Sequence, residues 1–154
     1  MVTLMQTSLQ GIKLIKEFEG FSPISYNCPA GKKTIGYGHS IESMPFLTSV
    51  SEVEAEIILR KELDRIDVYL KSVIKQDIVL TQGMFDALSS LIFNWGFGNF
   101  GKSIGLKALN NKRYSTVAIE FFSKSKGVVN INGKFSNGLY RRRQAELRLW
   151  NDKT

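Results

Sequence analysis

The sequence predicts an α+β fold in which a small, irregular sheet lobe near the amino terminus is joined by one long helix to a larger helical lobe. Three observations predict it. Between residues 24 and 38, short β-patterned runs (ISYN, KTIGY) are broken up by Pro29, Gly31, Gly36 and Gly38, the punctuation of turns and bulges. From Ser51 the period becomes helical: Ser51 and Glu54 have capping-box spacing, and Leu59, Leu63, Ile66, Leu70 and Val73 follow in steps of four and three. After Thr81, the residues Met84, Phe85, Leu88, Leu91, Ile92 and Trp95 mark a nearly all-apolar helix that stops at Gly96, the expected centre of the helical lobe. The chain thus reads as one domain, residues 1–154. The sheet lobe covers about 20–50, and the helical lobe covers about 76–154 plus the first helix.

The elements follow in order. Thr7 or Ser8 caps a first helix with Leu9, Ile12, Ile15 and Phe18 on its apolar stripe. Gly20 suits its end, which leaves the Glu19 carboxyl projecting from the last turn. Strands are expected at 24–27 and 33–37, with a turn through Pro29, Ala30 and Gly31. The long helix runs from about 51 to 75. Shorter helices follow at 102–110, with Leu106 and Leu109 inward, and at 115–123, with Ala118, Phe121 and Phe122 inward. Asn132-Gly133 signals a loop or small hairpin within 128–135, and a last helix covers 137–150.

Composition narrows the function. A content of 43% hydrophobic and 11% aromatic residues in 154 is ample for a core, and 21 Lys and Arg against 14 Asp and Glu give +7. Such a surface attracts polyanions: nucleic acid, anionic lipid or acidic wall polymers. Three consecutive arginines, Arg141 to Arg143, point in three directions on a helix, which argues against a nucleic-acid stripe. The one cysteine excludes an intramolecular disulfide. One histidine and one distant cysteine make a poor metal site, and no organic cofactor is implied. Neither a signal-peptide pattern nor an apolar run of membrane-spanning length is present, so accumulation in the cytoplasm is expected. A monomer is the default.

The chemistry concentrates in residues 19–39, EGFSPISYNCPAGKKTIGYGH. Here Glu19 is followed after eight residues by Cys28 and after five more by Thr34. An acid at a cleft edge beside a second polar group is what glycoside hydrolysis requires, one group protonating the leaving oxygen while the other positions water or attacks the sugar. Phe18 and Phe21 beside Glu19 would favour its protonated form. Taken singly, each residue has a plainer reading: a solvated glutamate at a helix end, a buried cysteine, a strand threonine.

Together with TIGYGH at 34–39, FNWGFGNF at 93–100 and GLYRRRQAE at 138–146, the constellation resembles the phage-type lysozymes, endolysins of glycoside hydrolase family 24, in the variant with cysteine at the usual aspartate position. The resemblance runs nearly end to end. It implies a lysozyme-like fold with the cleft between the lobes, Glu19 as general acid, and Cys28 and Thr34 holding or activating water. Whether Cys28 acts as base, nucleophile or water holder stays open. It puts Asn94 at the cleft's far wall, where it either contacts sugar or caps a helix; Tyr26 and Tyr37 are candidates to stack on sugars or else to pack, and a His39–Glu62 ion pair is implied, with Asp64 as the other possible partner. Arg142 and Arg143 fall at the family's double-arginine position, one of them near the catalytic carboxylate. The implied substrate is the β-1,4 bond between N-acetylmuramic acid and N-acetylglucosamine in peptidoglycan, reached from the host cytoplasm with a holin's help. A lytic transglycosylase and a non-catalytic wall-binding module are the competing readings.

Overall fold

The computed structural model describes residues 2–42 and 46–153, so residues 43–45 of the expected sheet lobe lie outside the described ones. Helix α1, Leu9–Glu19, is capped by Ser8, whose hydroxyl accepts from the Gly11 amide. Its inward face is Gly11, Leu14 and Ile15; Leu9 is 84% exposed, contrary to the expected stripe. The rotation follows from Gly11: a Cβ there would lie 2.9 Å from Asp86 Cγ, so its absence lets α1 close onto the next layer on that side.

The chain then turns at Gly20 into β1 (Ser22–Asn27), β2 (Lys33–Gly36) and β3 (His39–Ser40), an antiparallel sheet in the order β1-β2-β3. Tyr26 pairs with Thr34 and Asn27 with Lys33, while Ser22 pairs with Gly36, so β1 carries an irregularity between Ser22 and Tyr26. The outer strand buries little, whereas β2 turns Thr34, Ile35 and Gly36 inward.

Helix α2, Glu52–Val73, opens with the capping box formed by Ser51 and Glu54. Its 22 residues span about 33 Å at the α-helical rise. One end meets the sheet, where the Ala55 carbonyl lies 3.3 Å from His39 Nε2; at the other end Asn110 Nδ2 donates to the Val73 carbonyl at 2.9 Å. This is the predicted joining helix, with Leu59, Leu63, Ile66 and Leu70 buried.

Helix α3, Gln82–Trp95, is buried continuously from Phe85 to Ile92 and packs against α1, α2 and α7 (Asn137–Asn151). Around it lie α4 (Phe97–Gly101), α5 (Ile104–Asn110), α6 (Tyr114–Phe122) and a hairpin of β4 (Asn130–Ile131) and β5 (Lys134–Phe135). Helix α4 has no counterpart in the sequence reading; Phe100, stacked 5.5 Å from Phe121, anchors its five residues.

Three polar residues are buried in the largely apolar α3, and each has a hydrogen-bond partner. Asp86 accepts from the Ser8 amide and hydroxyl and from Gln82; Ser89 meets Thr7; Ser90 receives Arg142. A neighbouring carboxylate, Asp67 of α2, accepts from Thr7 N at 2.9 Å, Thr7 Oγ1 at 2.6 Å and Arg60 Nη2 at 3.0 Å. Two buried acids therefore clip the segment that leads into α1. Asp67→Asn keeps the volume but turns an amide on at least one of these donors. It should cost about 2 kcal/mol and lower Tm by roughly 4–8 °C, read by thermal circular dichroism.

Candidate active site

Glu19 ends α1 and reaches the helical lobe through one strong contact: Arg142 Nη1 donates to Glu19 Oε2 at 2.5 Å. Arg142 is itself fixed, its side chain 4% exposed. Its Nε and Nη2 donate to the Ser90 hydroxyl, Nη2 also donates to the Ser90 carbonyl, each at 3.3 Å, and its guanidinium lies 5.8 Å from the Phe18 ring centre. The group against the acid is thus a guanidinium, where the sequence suggested an apolar pocket of Phe18 and Phe21. Phe18 packs on that guanidinium, and Phe21 packs on Tyr37 with ring centres 5.4 Å apart.

The other oxygen of Glu19 faces Gly38, in the turn between β2 and β3. Gly38 has φ +81°, and a Cβ built there would lie 2.7 Å from Glu19 Oε1. Both the backbone conformation and the space require glycine. Gly38→Ala should therefore displace the Glu19 carboxyl from its place beside Arg142 while the helical circular dichroism signal persists.

A hollow lies on each side of this neighbourhood, one lined by Glu19 and the other by Gly38. One of about 380 Å³ is lined by Phe18, Glu19, Asn94, Ser136, Arg141 and Arg142. The other, about 310 Å³, is lined by Gly38, Ser40, Glu62, Arg65, Phe93 and Phe97. The acid therefore stands between two open stretches of surface, one toward α7 and one toward α2, an arrangement suited to an extended chain.

Cys28 follows β1 at a tight turn, its amide donating to the Lys32 carbonyl and its carbonyl accepting from Gly31, each at 2.8 Å. The side chain is half-buried. The thiol is held below its ordinary value chiefly by the Lys32 main-chain amide; partial burial opposes this, while the Ala30 amide, the Thr34 hydroxyl and the Lys32 charge add to it. Thr34, 6% exposed, donates to the Lys32 carbonyl at 3.2 Å and lies beside the thiol. The register Tyr26 to Thr34 explains the meeting of Cys28 and Thr34, since residues two apart on a strand share a face.

Residues 16–146 match the family model described as phage lysozyme. The chain belongs to the phage lysozyme family. It is 38% identical over 146 residues to an endolysin of Acyrthosiphon pisum secondary endosymbiont phage 1, covering 95% of this chain and 98% of that one. An endolysin of Bacillus phage B103 is 36% identical over 148 residues, and there the match covers 95% of this chain and 54% of the longer relative. The muramidase domain of SpmX from Asticaccaulis excentricus superposes with a TM-score of 0.80 at 32% identity, covering 96% of this chain and 98% of that domain. As a phage lysozyme the chain is a glycoside hydrolase of the muramidase class, an endolysin that hydrolyses peptidoglycan. Among the described residues no helix is long and apolar enough to cross a membrane.

The remaining candidates fall into two groups. Asn94 is exposed and lines the hollow that holds Glu19, and Tyr26 is 42% exposed opposite Thr34. Tyr37 is different: it is 7% exposed, packed between Phe21 and His39 with Lys16 over its ring. That burial removes Tyr37 from the sugar-stacking candidates and makes it a core residue. His39 Nδ1 lies 2.8 Å from Glu62 Oε1, while Asp64 pairs with Arg60. The His39–Glu62 pair ties β3 to α2 beside the second hollow, which Glu62 lines. Arg141 is exposed, Arg142 holds Glu19, and Arg143 is buried on Glu146. The sequence reading passed over Ser90, noted Gly38 as a break in the strand without pairing it with Glu19, and gave Glu146 no role. Glu146 did carry a signal, because it lies four and three residues after Arg142 and Arg143, on one helix face.

Proposed function

We propose that Glu19 is the general acid of this endolysin, with Cys28 and Thr34 on the water side, and that the bond cleaved is the β-1,4 link from N-acetylmuramic acid to N-acetylglucosamine. The observation that carries the reading is the Glu19 carboxyl held between Arg142 and Gly38 with a surface hollow on either side. A glycan chain laid through both hollows brings a glycosidic oxygen to Glu19. The acid gives its proton to that oxygen as the bond to the anomeric carbon breaks. Water adds to the anomeric carbon from the hairpin side and gives up a proton to the Cys28 thiolate, while the Thr34 hydroxyl orients it. Asn94 and Tyr26 supply hydrogen bonds and a stacking face for neighbouring sugars.

In this reading the protein is made in the host cytoplasm, acts as a monomer, and reaches the wall after a holin opens the inner membrane. The net charge of +7 draws it to anionic envelope polymers, an attraction that added salt weakens. The test is turbidity loss of purified, outer-membrane-stripped walls followed by analysis of the released ends. Reducing muramic ends, absent with Glu19→Gln, are expected. A 1,6-anhydro end in their place would show that the muramic 6-hydroxyl, and not water, attacks. Binding of folded protein without clearing would leave only a wall-binding module.

A further inference from the structure

Behind the Arg142–Glu19 contact lies a second carboxylate that the reaction scheme does not use. Glu146 and Arg143 are both wholly buried. Glu146 Oε1 accepts from Arg143 Nη2 at 2.6 Å, a charge-assisted distance, and lies 3.7 Å from Arg142 Nε. Arg143 Nη1 donates to the Val128 carbonyl at 3.3 Å. Arg142 therefore stands between two acids, Glu19 at Nη1 and Glu146 at Nε. Burial pushes the Glu146 carboxyl up, and Arg143, Arg142 and the Ser90 hydroxyl oppose that rise. The charged groups acting on Glu146 are thus the two arginines of its own helix; α3 presents the Ser90 hydroxyl, and Glu19 of α1 reaches it through Arg142.

A fixed guanidinium is a good way to orient a carboxylate and a poor way to keep a proton on it, because a positive neighbour favours the ionised form. A general acid must carry its proton when substrate arrives. Two buried arginines behind Glu19 make the conflict sharper. With Glu146 ionised, the three groups sum to one positive charge; without it they sum to two. We infer that Glu146 is a positioning residue for the reaction: its carboxylate offsets the Arg142–Arg143 pair, so that Arg142 orients Glu19 without stripping the proton that Glu19 must donate. The inference rests on the reading of Glu19 as the acid. Glu146 Oε2 and Arg143 Nε have no hydrogen-bond partner among the described residues.

The test compares wild type, Glu146→Gln, Arg143→Met and the double variant, each checked for folding by circular dichroism. Protein labelled with ¹³C at glutamate carboxyls is titrated over about pH 3 to 9, the Glu19 signal being identified by its loss in Glu19→Gln. The alkaline limb of wall clearing is recorded on the same proteins. Glu146→Gln should move both the Glu19 titration and the alkaline limb down by about one pH unit, and Arg143→Met should move both up by a similar amount. The double variant, which restores one net positive charge, should return both to the wild-type position. Should Glu146→Gln fail to fold, the rise in Arg143→Met and its reversal in the double variant decide the matter. A Glu19 titration unmoved in the folded variants would overturn the inference. Titrations that move as stated in a protein that clears no wall would instead overturn the reading of Glu19 as the acid.

Discussion

Glu19→Gln should leave the protein folded and reduce wall clearing by about 10² to 10⁴-fold, the range expected when a positioned proton donor is lost. The substitution is nearly isosteric and keeps an oxygen to accept from Arg142 Nη1, so the α1 to α7 contact survives. What disappears is a proton that can be given to the leaving oxygen. Wall binding should persist, because the two hollows on either side are unchanged. The decisive measurement pairs turbidity loss with sedimentation of protein bound to walls: binding retained and clearing lost is the expected result. Clearing within a few-fold of wild type, beyond the reach of an orienting effect, would remove Glu19 from the chemistry.

Cys28→Ala should be the second most damaging change, with a loss of about 10²-fold or more, if, as proposed, Cys28 is the group that holds and deprotonates water. Cys28→Ser keeps a polar atom beside Thr34 but not a group that ionises near neutrality, and it should fall between alanine and wild type. Cys28→Asp tests the sign. The thiol must lose its proton to act, so its activity rises with pH through the thiol's own titration, which the Lys32 and Ala30 amides and the Thr34 hydroxyl bring below the ordinary value. An aspartate is already ionised well below that range. The acid limb of the pH profile should therefore move to lower pH in Cys28→Asp while the alkaline limb, set by Glu19, stays put. An acid limb that does not move would show that Cys28 holds water without taking its proton.

The architecture was legible because local chemistry and periodicity agree over long stretches. The capping box at Ser51, the four-three spacing from Leu59 to Leu70 and the cap at Thr81 each place a helix within a residue or two of its observed start. The motif spacing also brought out Cys28 and Thr34, since a hairpin converts that interval into contact. What escaped the sequence depends on which surfaces meet. Leu9 fits the apolar stripe of α1 but faces outward, because the helix closes on Asp86 at Gly11. Tyr37 has the composition of a sugar platform, and only the packing of Phe21 shows that it is covered. Ser90 looked like an incidental residue in an apolar helix until Arg142 arrived from a segment 52 positions away. Nor does any local pattern reveal that a glycine in the β2–β3 turn touches the acid at the end of α1.

The two sides of the cleft are held at different depths of the molecule. Glu19 is braced by Arg142, which is locked to Ser90 at the centre of α3, so the brace itself is lost only when the most protected part of the chain opens. Cys28 sits at the end of a mostly exposed strand with an interrupted ladder, where backbone pairing is few-bonded and open to water. Local opening there takes less free energy than global unfolding. Loss of activity and loss of fold should consequently be separable events: amide exchange in the 22–36 hairpin is expected to be fast relative to α3, and mild denaturant is expected to loosen the Cys28 turn before it frees Glu19 from Arg142.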